Sequence, residues 1–249
     1  NLGICFEKLK EFKFALEYYK KAVELKPDEG DFIYNYALCL DALNMNDEAI
    51  KQFKKVICLE KEDSNSFFCL GCLYIKKNEI DNALKCFQRT VSLNNDDYYA
   101  HFHLANMYHK KGMIEEAIKE YKAVISLSGD YSWAYFNLGQ IYYQKEDYEN
   151  AVIMLNLTLQ KNRKDKEAYK LLCQLYIKLN DFDMAQDVMD EMKEEAGTNG
   201  DYFYLTALLC KKRGELLKYK DNLENAVQNE ETLTFNKKAV LLELKEAGV

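Results

Sequence analysis

The strongest constraint on this chain is a period of 34 residues held without slippage through most of its length. Alanine stands at 15, 49, 83, 117, 151 and 185. Four positions after each alanine comes a bulky residue: Tyr19, Phe53, Phe87, Tyr121, Leu155 and Met189. Twelve before it comes a small one: Gly3, Ala37, Gly71, Ala105, Gly139 and Cys173. A large residue precedes that small one (Leu2, Tyr36, Leu70, Leu104, Leu138, Leu172), and another follows it by three (Phe6, Leu40, Tyr74, Tyr108, Tyr142, Tyr176). A repeat of this length means a unit that cannot bury its apolar face alone and stacks on its neighbours. Within each unit the spacing is helical, and two helices approach closely where both present small side chains.

The turns fit the same scheme. Asn44, Asn78, Gly112, Asn180 and Gly214 recur at one place in the unit, and these residue types accept the left-handed conformation that ends a helix. An acid follows in the first turn of the next helix (Asp47, Asp81, Glu115, Glu149, Asp183), where it complements the positive end of the helix dipole. The single proline and ten glycines in 249 residues argue against an all-β fold.

This pattern of a large and a small residue, an aromatic, an alanine and a further aromatic every 34 residues resembles the tetratricopeptide repeat family. Pro27 falls where that family often places proline. The resemblance implies an all-α, right-handed superhelical solenoid of antiparallel helix pairs. The repeats read as 1–29 (truncated), 30–63, 64–97, 98–131, 132–165, 166–199 and 200–233. The last is divergent, with Tyr219 in place of the alanine and Cys210 in place of the aromatic. Residues 234–249 read as a capping helix, with Phe235, Val240, Leu241 and Leu244 covering the last repeat and Lys237, Lys238, Glu243 and Lys245 in water. Asn1 falls at the sixth position of its repeat, so a further segment is expected upstream, and an open first repeat offers a route to self-association.

No phosphate-binding glycine loop, nucleotide fingerprint, zinc-protease or nucleophile-elbow motif occurs, so no catalytic residue, metal or cofactor is assigned. Cys69-x-x-Cys72 and His103, one period after Cys69, are the residues nearest to a metal set. Small core cysteines are the competing reading, with Cys5, Cys39 and Cys173 at comparable positions. The eight cysteines read as reduced thiols in a reducing compartment, the cytoplasm. A net charge of −7 disfavours nucleic acid, and no run is apolar enough to span a membrane.

The resemblance also implies that positions 2, 5, 6, 9, 12 and 13 of each unit face inward. Position 5 supplies Tyr34, Phe68, Phe102 and Phe136, then Lys170 and Tyr204; position 2 adds Tyr99 and Trp133. Position 6 supplies Asn35, His103 and Asn137, and position 9 supplies Asn106, Gln140 and Gln174. Position 13 supplies Lys8, Lys76, Lys110, Lys178 and Lys212. The rings read as apolar anchors on one inner surface, the carboxamides as groups able to hold a peptide backbone, and the lysines as a bias toward acidic ligands. Position-5 rings that merely pack neighbouring helices, and lysines that merely complement helix dipoles, are the alternatives. The functional expectation is a scaffold binding a protein or an extended, acidic peptide. A substrate-recruiting arm of a larger enzyme and a self-assembling structural scaffold are the rivals.

Overall fold

The computed structural model describes residue 3 and residues 11–247. Among the described residues there are only helices: fourteen α-helices and one 3-10 turn. The chain divides into two compact units, Asn1–Ser128 and Gly129–Val249.

The first unit contains α1 (Phe12–Leu25), α2 (Gly30–Ala42), α3 (Asn46–Leu59), α4 (Ser64–Lys76), α5 (Ile80–Leu93), α6 (Tyr98–Lys110) and α7 (Ile114–Leu127). Helices α2, α4 and α6 open repeats, and each packs on the helix that follows it and the one before it. The crossing is built as the period requires. Ala15, Ala49, Ala83 and Ala117 have no exposed surface, and neither do Ala37 and Ala105. A Cβ added to Gly71 would stand 2.8 Å from the ring of Phe87, so the position-8 residue must be small because the bulky residue of the second helix lies over it. Leu2, Cys5, Phe6 and Lys8, and Asn1 with its upstream expectation, lie outside the described residues.

The second unit contains α8 (Ser132–Gln144), α9 (Tyr148–Lys161), α10 (Lys166–Lys178), α11 (Phe182–Glu195), α12 (Gly200–Arg213), α13 (Leu216–Gln228), a 3-10 turn (Glu230–Thr232) and α14 (Lys237–Ala247). Ala151, Ala185 and Cys173 are again fully buried, and Leu155 and Met189 take the bulky position. The divergent last pair forms as well. Ala207 is buried, Tyr219 is 5% exposed, and the Tyr219 hydroxyl donates to Glu243 at 2.8 Å. α14 packs on α13 and buries Val240 completely. Glu243 is not a solvated residue, as the amphipathic pattern implied. It accepts from Tyr204 at 2.9 Å as well as from Tyr219. Burial pushes its carboxyl up, but the two hydroxyls and Lys211 outweigh that and hold it below its usual range.

The connections carry their own chemistry. Asn44, Asn78 and Asn180 have φ of 59°, and Gly112 and Gly214 have φ of 73° and 77°, as the turn residues require. Asp63, Asp97 and Asp165, which end their repeats, cap the helix that follows by accepting from its first backbone N–H groups. The first-turn acids also link successive repeats: Lys77 reaches Asp47 at 2.6 Å, Lys111 pairs with Asp81, and Arg213 reaches Asp183 at 3.2 Å.

The turn between α8 and α9 departs from the rule, because Glu146 holds φ of 60° with a Cβ that the left-handed region disfavours. Glu146→Gly is predicted to raise stability by about 1 kcal/mol, since relief of that clash exceeds glycine's added chain entropy. Urea unfolding of the two proteins measures it, and a lowered midpoint would contradict the assignment of strain to this turn.

Candidate functional site

In the first unit the position-5 rings stand against the bulky residue of the second helix of their own repeat. Tyr34 meets Phe53 at 5.6 Å and 74°, Phe68 meets Phe87 at 5.7 Å and 72°, and Phe102 meets Tyr121 at 5.9 Å and 60°. These are edge-on or tilted pairs of the kind aromatic quadrupoles favour. Each of these position-5 rings is half-buried. His103 joins two repeats: it stacks on Phe87 at 5.1 Å and 12° and meets Phe68 and Phe102 edge-on. Burial lowers its pKa, which favours the neutral ring, and its Nδ1 is buried without a hydrogen-bond partner. Tyr99 at position 2 is 48% exposed.

The polar row is partly engaged by the fold itself. Asn35 donates its amide to the carbonyl of Asp31 at 2.8 Å, one turn back on its own helix. Asn106 uses its carboxamide oxygen to accept from the fully buried Tyr121 at 2.5 Å. Lys76 pairs with Asp41 at 2.5 Å, while Lys110 is exposed at the end of α6.

The cysteine set has a different disposition from a metal centre. Cys69 Sγ lies 3.7 Å from the Tyr34 hydroxyl, and His103 is held among rings. Burial raises the thiol of Cys69 and pushes that of Cys72 to about 12. Among the described residues no group of three or more His, Cys, Asp or Glu is placed to hold a metal. Among the described residues, Cys39, Cys58, Cys69, Cys72, Cys86, Cys173 and Cys210 are not joined in disulfides.

In the second unit Trp133 is the open ring, 54% exposed, and Phe136 is only 8% exposed. Trp133 meets Phe136 edge-on at 6.4 Å and 88°. Leu155 replaces the aromatic partner seen in the first unit, and Phe136 sinks into a cluster with Leu155, Leu159 and Leu172. Asn137 repeats the habit of Asn35, donating to the carbonyl of Trp133 at 2.7 Å. Gln140 is half-exposed one turn further on. Lys178 lies over Tyr148 and Tyr143, at 4.8 and 5.3 Å from their centroids.

An array of short helix pairs with buried small residues at each crossing and side-chain rows on the first helices defines a helical-repeat scaffold. Models of the tetratricopeptide repeat match residues 1–29, 30–63, 71–112 and 105–146, and the chain belongs to the tetratricopeptide repeat family. A model described as anaphase-promoting complex, cyclosome, subunit 3 matches residues 144–225. No curated protein matches the chain. Among solved structures, the C-terminal part of a repeat-containing protein from Cytophaga hutchinsonii superposes with a TM-score of 0.77 at 17% identity, covering 96% of this chain and 97% of that one. YrrB, described as a TPR protein with an unusual peptide-binding site, is 28% identical over 68% of this chain and 87% of its own, with a TM-score of 0.61. MamA is 23% identical over 67% of this chain and 98% of its own, with a TM-score of 0.63. Arrays of this family are protein-interaction scaffolds. No helix among the described residues is long and apolar enough to cross a membrane.

One titratable pair lies outside what the repeat pattern reveals. His101, 5% exposed, has Nδ1 2.6 Å from Glu120 Oε2 and Nε2 3.0 Å from the carbonyl of Asn95. Only the imidazolium donates from both nitrogens at once. The hydrogen bond to Glu120 raises its pKa against the opposing effect of burial. A raised folded pKa contributes stability below the unfolded value that is lost as pH rises through the folded one. The stability difference between wild type and His101→Gln is therefore predicted to be largest below about pH 6.5 and to shrink toward alkaline pH. Thermal melts of both proteins across pH test this, and a pH-independent difference would refute it.

Proposed function

We propose that the rows on the first helices of the repeats bind extended peptide segments of partner proteins and hold them for assembly, without catalysis. The observation that carries this reading is the exposure of Tyr99 and Trp133, large rings standing out beside rings that are fixed by packing. Large exposed Tyr and Trp rings are the usual energetic anchors of an interface. The carboxamides of Asn35, Asn106, Asn137 and Gln140, and His103, supply polar contacts between anchors. Two of the asparagines keep their oxygens for a ligand's N–H groups while their amides bond their own helices. Lys110 favours an acidic ligand, and Lys76, held by Asp41, would join it only by exchanging that partner. The likeness to YrrB, a protein described as having a peptide-binding site, supports the ligand class.

Tyr34, Phe68, Phe102 and Phe136 then serve chiefly as the backing of these surfaces. With a partner captured from native lysate and its binding segment mapped, Trp133→Ala or Tyr99→Ala is predicted to cost about 2 kcal/mol or more in affinity. Lys110→Ala is predicted to change the association rate and its salt dependence instead. Unaltered affinity in both ring variants would move the binding surface elsewhere on the molecule.

A further inference from the structure

The second unit holds one peptide on its own row. Residues 229–236 run between α13 and α14 and lie across the first-helix positions of the last two repeats. Asp201, at position 2 of its repeat and 2% exposed, accepts from the backbone N–H of Thr234 at 2.6 Å and from its hydroxyl at 2.7 Å. Lys170, at position 5 of the repeat before, donates to the same hydroxyl at 2.6 Å. Phe235 lies 4.6 Å from the ring of Tyr204, the next position-5 residue, and under the Lys170 ammonium at 5.4 Å. Gly200 donates its N–H to the Thr232 hydroxyl at 2.8 Å. A Cβ at Gly200 would stand 2.5 Å from the carbonyl of Asn229, so the helix start is shaped to let a backbone lie on it.

The buried carboxylate has its partners in the segment and in Lys170 at 3.4 Å. The Lys170 ammonium, which also pairs with Glu167 at 2.7 Å, reaches the threonine hydroxyl and the phenyl face, and Tyr204 meets the phenyl ring. We infer that Lys170, Asp201, Tyr204 and Gly200 form a binding site for a short segment that leaves a 3-10 turn and carries threonine followed by an aromatic residue. The chain's own Thr232–Phe235 fills this site and competes with any partner segment of that chemistry. The inference rests on the proposal that the first-helix rows take peptides. Residues 230–232 and Thr234 are exposed or half-exposed, and Leu233 and Phe235 only half-buried. A segment with so little buried surface belongs to the part of a fold that opens locally, ahead of global unfolding.

The test uses the full chain and a labelled, blocked peptide of sequence Glu-Glu-Thr-Leu-Thr-Phe-Asn-Lys, copied from residues 230–237. Wild type must displace its own segment, which reduces apparent affinity by the fraction of molecules open. Thr234→Val/Phe235→Ala, which removes the internal occupant's side-chain anchors on Asp201, Lys170 and Tyr204 and leaves the receptor residues unchanged, is predicted to bind the peptide about tenfold or more tighter than wild type. Adding Asp201→Asn is predicted to abolish the gain, and a peptide with Val and Ala at the Thr and Phe positions is predicted not to bind. Equal binding by wild type and the double variant, or a gain that survives Asp201→Asn, would overturn the inference.

Amide hydrogen exchange on unaltered wild type gives a second reading that does not depend on the variant folding. The Thr234 N–H is predicted to exchange about 100-fold or more faster than the core amide of Leu205, through local opening. Equal protection would mean that the segment leaves only when the unit unfolds, and would overturn the competing role. Because the probe is the chain's own sequence on the second unit, these results are independent of whether Tyr99 and Trp133 anchor a foreign partner.

Discussion

Everything described depends on one contact: the bulky residue at position 24 of a repeat lying on the small residue at position 8, beside the alanine at position 20. Phe87 over Gly71 shows its tightness, since even a methyl group on the glycine would collide with the ring. That contact sets how closely the two helices of a pair approach. It also decides where the position-24 ring presents its face. In the first unit that face receives the edge of the position-5 ring, and through His103 it receives a ring from the next repeat. The candidate binding row is thus the outer layer of the same aromatic stack that closes the crossing.

The second unit shows what happens when members of that stack change. With Leu155 at position 24, Phe136 joins the core and Trp133 becomes the exposed ring. With Tyr219 in place of the alanine, the last crossing gains a hydroxyl that needs a partner, and Glu243 of α14 supplies one. With Lys170 in place of the ring, the row accepts a hydroxyl and a phenyl group from the chain itself. The C-terminal segment therefore does more than cover apolar surface: it satisfies polar groups that the last repeats introduce.

Period and residue size were enough to read the helix pairs, the buried alanines and the left-handed turns at Asn44, Asn78, Gly112, Asn180 and Gly214, because each follows from local sterics. Glu146 escaped because glutamate carries no preference for that conformation. The candidate row was readable as a set of positions but not as a set of environments. That Asn35 and Asn137 turn their amides onto their own helices, or that Lys76 finds Asp41 in the preceding repeat, depends on rotamers and on neighbours 35 residues away in one case. The capping aspartates at 63, 97 and 165 are periodic, and a search for acids just before each first helix would have found them. The His101–Glu120 pair and the Asp201–Thr234 contact are each formed once, so no period points to them.

The claim that the small-residue crossing organises the fold is tested most directly by Ala83→Leu. Ala83 has no exposed surface, and a leucine there forces α5 away from its partner. Denaturant unfolding of the variant is predicted to show a loss of about 1–3 kcal/mol with cooperativity retained. An unchanged midpoint would mean that the helices do not meet at this alanine, and would contradict the account.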